Sequence, residues 1–173
     1  MVQDLKLEIG AVGFHRSAGT LAPPFVNLIW VGDQKHDWTR EDGLRSTVSA
    51  TIHYGMSGFG VAHSDIGGYT TVLTPLVNIT RSAELLGRWG EVGALSGAVF
   101  RSHEGLIPSV NVQSYTNDST FAYFAYNARL FKSLRKYRRG LLNEAVTTGR
   151  PLVRHPLVYF PLDPRSRNVI DEV

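Results

Sequence analysis

Two carboxylates and a set of hydrogen-bonding side chains stand just past the apolar runs of this chain. Asp33 follows VNLIW, Val26 to Trp30, and Asp65 follows FGVAH, Phe59 to His63. Arg16 comes after EIGAVGF (8–14), Gln34 is next to Asp33, Tyr69 closes DIGGY, and Arg101 with His103 ends AVFRSH. Paired carboxylates suit glycosidic-bond hydrolysis, in which one protonates the departing oxygen and the other attacks or activates water. The 32-residue spacing leaves those roles open. Trp30, close to Asp33, could offer a flat apolar face to a sugar ring, while Arg16 and His103 could bond its hydroxyls.

The elements that must position these groups alternate short apolar runs with helical patterns, the signature of strand-helix units around a parallel sheet. The first two runs read as strands, and TREDGLRSTVSATIHYGMSG reads as a helix with Thr39 as its N-cap and a stop at Gly58. FGVAH is a third strand. RSAELLGRWGEVGALSG is a helix with Leu85, Leu86, Trp89 and Val92 at helical spacing, and residues 98–102 form a fourth strand. A long helix from Asp118 puts Phe121, Phe124 and Phe131 on a core stripe and runs on toward Gly149. The proline- and β-former-rich RPLVRHPLVYFPLDP then predicts a change of architecture, with one unit over 1–149 and a β-rich region over 150–173. In parallel α/β folds functional residues gather at the carboxyl ends of the strands. Gly67 and Gly68 accordingly allow a tight turn that brings Asp65 and Tyr69 to a shared pocket.

Composition narrows the function classes. The 173 residues are 43% apolar, enough for one sizeable core, and carry a formal charge of +3. Five cations fall in KSLRKYRR, Lys132 to Arg139, where Leu134 and Tyr137 interleave with them as on an amphipathic helix. No nucleic-acid module accompanies them, so no nucleic-acid partner is expected. No run approaches the roughly 18 apolar residues of a membrane span, so no membrane partner is expected either. MVQDLKLEIG does not resemble a signal peptide, which leans toward the cytoplasm; the absence of cysteine leaves the compartment open. No His, Asp and Glu cluster suggests a metal, and no cofactor is expected.

The ordered set WVGDQKHDW, SGFGVAHSDIGGYT, RSAELLGRWGEVGA and RSHEG resembles the second half of the catalytic barrel of glycoside hydrolase family 31, the retaining α-glucosidase family. Its GDQ, HSDIGGYT and HEG details are most similar to the sulfoquinovosidases of that family. The resemblance implies a partial (β/α)8 barrel, about the last four strand-helix units, followed by the start of a β-rich C-terminal region. It implies Asp33 as general acid/base, and Arg16, Trp30, Asp65, Tyr69 and His103 as sugar-binding residues, with Tyr69 toward the sulfonate. Gln34 and Arg101 are supports behind them. The family's nucleophile motif has no counterpart upstream of Arg16, and a full barrel takes about 250 residues, so the chain reads as a fragment. The expected partners are a carbohydrate substrate and either the missing N-terminal half of the barrel or a second copy of the chain. The alternatives are an inactive carbohydrate-binding remnant and an α-glucosidase for plain α-glucosides.

Overall fold

The computed structural model describes residues 12–169. Three short parallel strands lie side by side in chain order: β1 (Phe14–His15), β2 (Leu28–Trp30) and β3 (Ala62–His63). Phe14 pairs with Leu28, Ile29 with both His15 and Ala62, and Trp30 with His63. The predicted EIGAVGF strand is seen only at its end, since residues 8–11 lie outside the described residues. The fourth run extends the sheet by one parallel bridge, Ile66 with Ser102, with the Ile66 amide donating to the Arg101 carbonyl at 3.0 Å. A two-stranded hairpin, β4 (Val72–Leu73) with β5 (Asn78–Ile79), leaves the turn after β3.

Helix α1 (Leu44–Met56) connects β2 to β3. It starts at Gly43 rather than at the expected Thr39 cap. Asp37 Oδ1 accepts from both the Thr39 amide and its hydroxyl, and the Leu44 amide donates to the Asp37 carbonyl, so residues 37–43 form a turn instead of a first helical turn. Helix α2 (Ala83–Ser96) is capped by the Ser82 hydroxyl, which accepts from the Leu85 amide at 3.1 Å, with Glu84 in the favourable first turn. Helix α3 (Asp118–Ser133) is capped by Asn117, and α4 (Arg135–Thr148) ends on Gly149 at φ 74°.

The long helix predicted from Asp118 is therefore two helices, broken at Leu134 within KSLRKYRR. Arg138 of that stretch is buried: its guanidinium lies over the Phe131 ring and donates to the carbonyls of Gly97, Phe131 and Ala94.

The core under the site consists of Leu44, Ile66, Leu85, Leu86 and Trp89, with Phe100, Val112 and Phe124 packed against it. Phe100 stacks on Phe124 at 5.1 Å and on Phe131 at 5.6 Å. Phe121, expected on the same stripe, is 62% exposed, because the contact of α3 with α2 runs through Phe124 and Asn127 instead. A Cβ on Gly87 would stand 2.2 Å from the Tyr123 ring and one on Gly90 2.8 Å from Asn127, so the close approach of α2 and α3 requires glycine there.

The expected β-rich start does not form over the described part of the tail. Residues 150–169 hold two 3-10 turns, Pro156–Val158 and Pro164–Asn168, and no strand. Pro151, Pro156, Pro161 and Pro164 each lack the amide a ladder needs. The segment is instead fastened to α4 and to the loop before β3. Leu152 donates to the Gly60 carbonyl at 2.8 Å, and Glu144 of α4 bridges Arg150 and Arg154.

Candidate active site

At the carboxyl ends of the strands, Phe14, Trp30, Asp33, Asp65, Tyr69, Arg101 and His103 line one open hollow of about 340 Å³. The turns after β2 and β3 build its floor. Gly32 takes φ 107°, and the Gln34 carbonyl then accepts from the amides of Tyr69 and Thr70, both at 2.8 Å. The Thr70 hydroxyl donates to the Asp33 carbonyl at 2.7 Å. These bonds hold the Asp33 loop and the Asp65 turn together. Gly67 and Gly68 both adopt positive φ, 92° and 77°, as the double-glycine turn requires.

The two carboxylates sit differently. Asp33 is 31% exposed at its side chain and lies 3.6 Å from Arg16, which is 63% exposed. Arg16 also stands 5.5 Å over the Trp30 ring, beside the hollow rather than on its wall. Asp65 is 2% exposed; Arg101 Nη1 donates to its Oδ1 in a close ion pair, and His63 Nε2 lies 3.6 Å from the same oxygen. Arg101 is thus ion-paired with Asp65 and also faces the hollow itself. Gln34 is buried; its Nε2 donates to the Val31 carbonyl at 2.8 Å, a support for the loop.

Tyr69 and His103 meet edge to face with ring centroids 4.8 Å apart. The Gly105 amide donates to His103 Nδ1 at 3.1 Å. Nδ1 is then an acceptor, so in the neutral ring Nε2 carries the hydrogen and can donate to a ligand oxygen. Trp30 and Phe14 supply the apolar faces, with centroids 6.2 Å apart. No group of three His, Asp or Glu side chains suited to a metal occurs among the described residues.

Several contributors escaped the sequence reading. Phe14 packs 5.4 Å from the His63 ring and under Arg101, a contact that needs the β1–β2–β3 register. His36 is buried behind the pocket and its Nδ1 bonds the Gly67 carbonyl at 2.6 Å. Burial holds its ring below the usual histidine range; the Gly67 bond opposes this and the nearby Arg81 charge adds to it. Arg81, the first residue of the helical stretch RSAELLGRWGEVGALSG, is buried beneath the Tyr69 and His103 segments. His36 could have been suspected from WVGDQKHDW, whereas nothing local marks Arg81.

Comparison with known proteins places this geometry. The family described as "Glycosyl hydrolases family 31 TIM-barrel domain" matches residues 10–141. A sulfoquinovosidase of Escherichia coli (strain K12) is 36% identical over 160 residues, covering 90% of this chain and 23% of the relative. A sulfoquinovosidase of Agrobacterium fabrum (strain C58 / ATCC 33970) is 35% identical over 161 residues, covering 93% of this chain and 24% of the relative. The chain therefore spans about a quarter of the length of these curated relatives. Among solved structures, a family 31 sulfoquinovosidase from E. rectale in complex with the aza-sugar inhibitor IFGSQ superposes with a TM-score of 0.90 at 32% identity. That match covers 98% of this chain and 25% of the other. A hollow walled by strand-end carboxylates and aromatics, carried on a segment that matches in both sequence and shape, shows that the chain belongs to glycoside hydrolase family 31.

Proposed function

We propose that this chain supplies the acid/base side of the sugar pocket of a retaining α-glycosidase that hydrolyses sulfoquinovosides. Asp33 gives its proton to the departing glycosidic oxygen and then takes one from the attacking water. Trp30 and Phe14 pack against the sugar, and His103 Nε2–H donates to a hydroxyl. The Tyr69 hydroxyl meets the sulfonate, and Asp65, pinned by Arg101, holds the pocket's hydrogen-bond network. Arg16 flanks Asp33 at the rim. The nucleophilic carboxylate is assigned to a part of the barrel outside this sequence, and the 1–149 and 150–173 division remains our reading of the chain's organisation. The observation that carries the proposal is the gathering of Trp30, Asp33, Asp65, Tyr69, Arg101 and His103 around one hollow.

The test replaces the matching segment of the E. coli sulfoquinovosidase with this chain and compares two α-sulfoquinovosides, one methyl and one p-nitrophenyl. Asp33→Asn should slow the methyl glycoside by about 10²- to 10⁴-fold. It should slow the p-nitrophenyl glycoside less, because that leaving group departs without a proton. Undiminished hydrolysis of the methyl glycoside would remove Asp33 from the role. Sugar binding without turnover in the unsubstituted chimera would favour a binding remnant. Tyr69→Phe should lower kcat/KM for the sulfonated substrate by about tenfold or more, the worth of a hydrogen bond to a charged group, and spare plain α-glucosides. Equal losses on both would cancel the sulfonate assignment.

A further inference from the structure

Arg81 is a buried cation that the mechanism above does not use. It is 2% exposed and has no carboxylate within ion-pair distance among the described residues. Burial lowers its guanidinium to about 10, which still leaves it charged at neutral pH. Moving a cation out of water without an anion is costly unless its donors are well satisfied. Those of Arg81 are. Nε donates to the Val112 carbonyl at 2.7 Å, Nη1 to the His103 carbonyl at 2.6 Å, and Nη2 to the Glu104 carbonyl at 3.3 Å and to Gln113 Oε1 at 2.7 Å. All four acceptors belong to the irregular segment that follows the fourth apolar run.

The other side of Arg81 meets the double-glycine turn. A Cβ on Gly67 would stand 2.6 Å from Arg81 Cδ and 2.9 Å from Nη1. The backbone completes the clip: the Arg81 amide donates to Asn111 Oδ1, and the Arg81 carbonyl accepts from Val112. Where the two segments meet, the Leu106 amide donates to the Tyr69 carbonyl at 2.8 Å and the Tyr69 and His103 rings touch.

We infer that Arg81 is a positioning residue: it fastens the segment carrying His103 to the turn carrying Tyr69, and so sets the distance between the two side chains offered to a ligand. Arginine suits this place because its planar fork presents five donors in fixed directions, whereas lysine offers three around a single point. The inference rests on the proposed sugar pocket for its meaning and on the hydrogen bonds alone for its geometry.

The test uses the full chain labelled with ¹⁵N, followed by amide exchange and by the ring nitrogen signals of His103. Arg81→Met should speed exchange at Gly105 and Leu106 by about tenfold or more while Val31 and Ile66 keep their rates. His103 should at the same time lose the signature of a single tautomer, and Arg81→Lys should restore part of both. If Arg81→Met does not fold, Arg81→Gln, which keeps two of the five side-chain donors at the same place, should give the same pattern at smaller amplitude. Unchanged Gly105, Leu106 and His103 signals in a folded variant would overturn the assignment, as would equal acceleration at every amide. In the chimera, Arg81→Lys should raise KM for the sulfonated glycoside more than it lowers kcat. The exchange and ring-nitrogen results need no turnover, so they stand or fall apart from the role of Asp33.

Discussion

The loop after β2 and the turn after β3 each bring a carboxylate to the same hollow, in opposite states of confinement. Asp33 keeps about a third of its side chain open to solvent and faces the guanidinium of an exposed arginine, while Asp65 is 2% exposed and gripped by Arg101 with His63 behind it. A group that must gain and lose a proton in each cycle needs access and loose bonding. A group that fixes the shape of a pocket needs the reverse. On the proposed function, the difference between the two loops separates chemistry from architecture within one pocket.

Substitutions can break this contrast, and the largest effect should be on catalysis. Asp33→Asn, with its expected rate loss of two or more orders of magnitude, should leave the unfolding free energy of the chain, from urea denaturation, within about 0.5 kcal/mol of the parent. A large stability loss would put Asp33 among the architectural residues. Asp65→Asn should do the opposite, costing about 1.5–3 kcal/mol by urea denaturation, because it weakens a charge-assisted bond to Arg101 in a buried place.

A smaller effect tests the buried layer behind Asp65. His36 has a folded-state pKa below its unfolded value of about 6.5. The unfolded chain therefore takes the proton first as pH falls, and the contribution of His36 to stability is full above about pH 6.5 and declines below it. His36→Asn keeps a donor toward the Gly67 carbonyl and removes the titration. The stability difference between parent and variant should shrink on acidification from pH 7 to 5, and a pH-independent difference would show that the ring does not titrate there. The smallest effect belongs to the rim. Arg16→Gln should change stability by less than about 1 kcal/mol, since exposed ion pairs are worth little.

What the sequence shows and hides follows from the range of the forces involved. Asp33, Asp65, Tyr69, Arg101 and His103 could be picked out because each stands just past an apolar run, and strand ends in a parallel sheet converge. Helix α2 was legible because Leu85, Leu86, Trp89 and Val92 recur at helical spacing. Thr39 misled because Asp37, two residues earlier, captures its hydroxyl. Phe121 misled because helical spacing places a residue on a stripe without saying where the neighbouring helix ends its contact. Arg81 was invisible: every acceptor that its guanidinium meets lies 22 to 32 residues away, and only the folded loop brings them together. The tail was misread because β-formers between prolines look like strands until the missing amides are counted.

The amide of Gly105 that occupies His103 Nδ1 has a chemical corollary. A neutral ring held this way shows the pocket a hydrogen and no lone pair, and Arg101 on the same wall shows only hydrogens as well. An ammonium group in the hollow would find its acceptors elsewhere on the lining, at the Asp33 and Asp65 carboxylates and the Tyr69 hydroxyl.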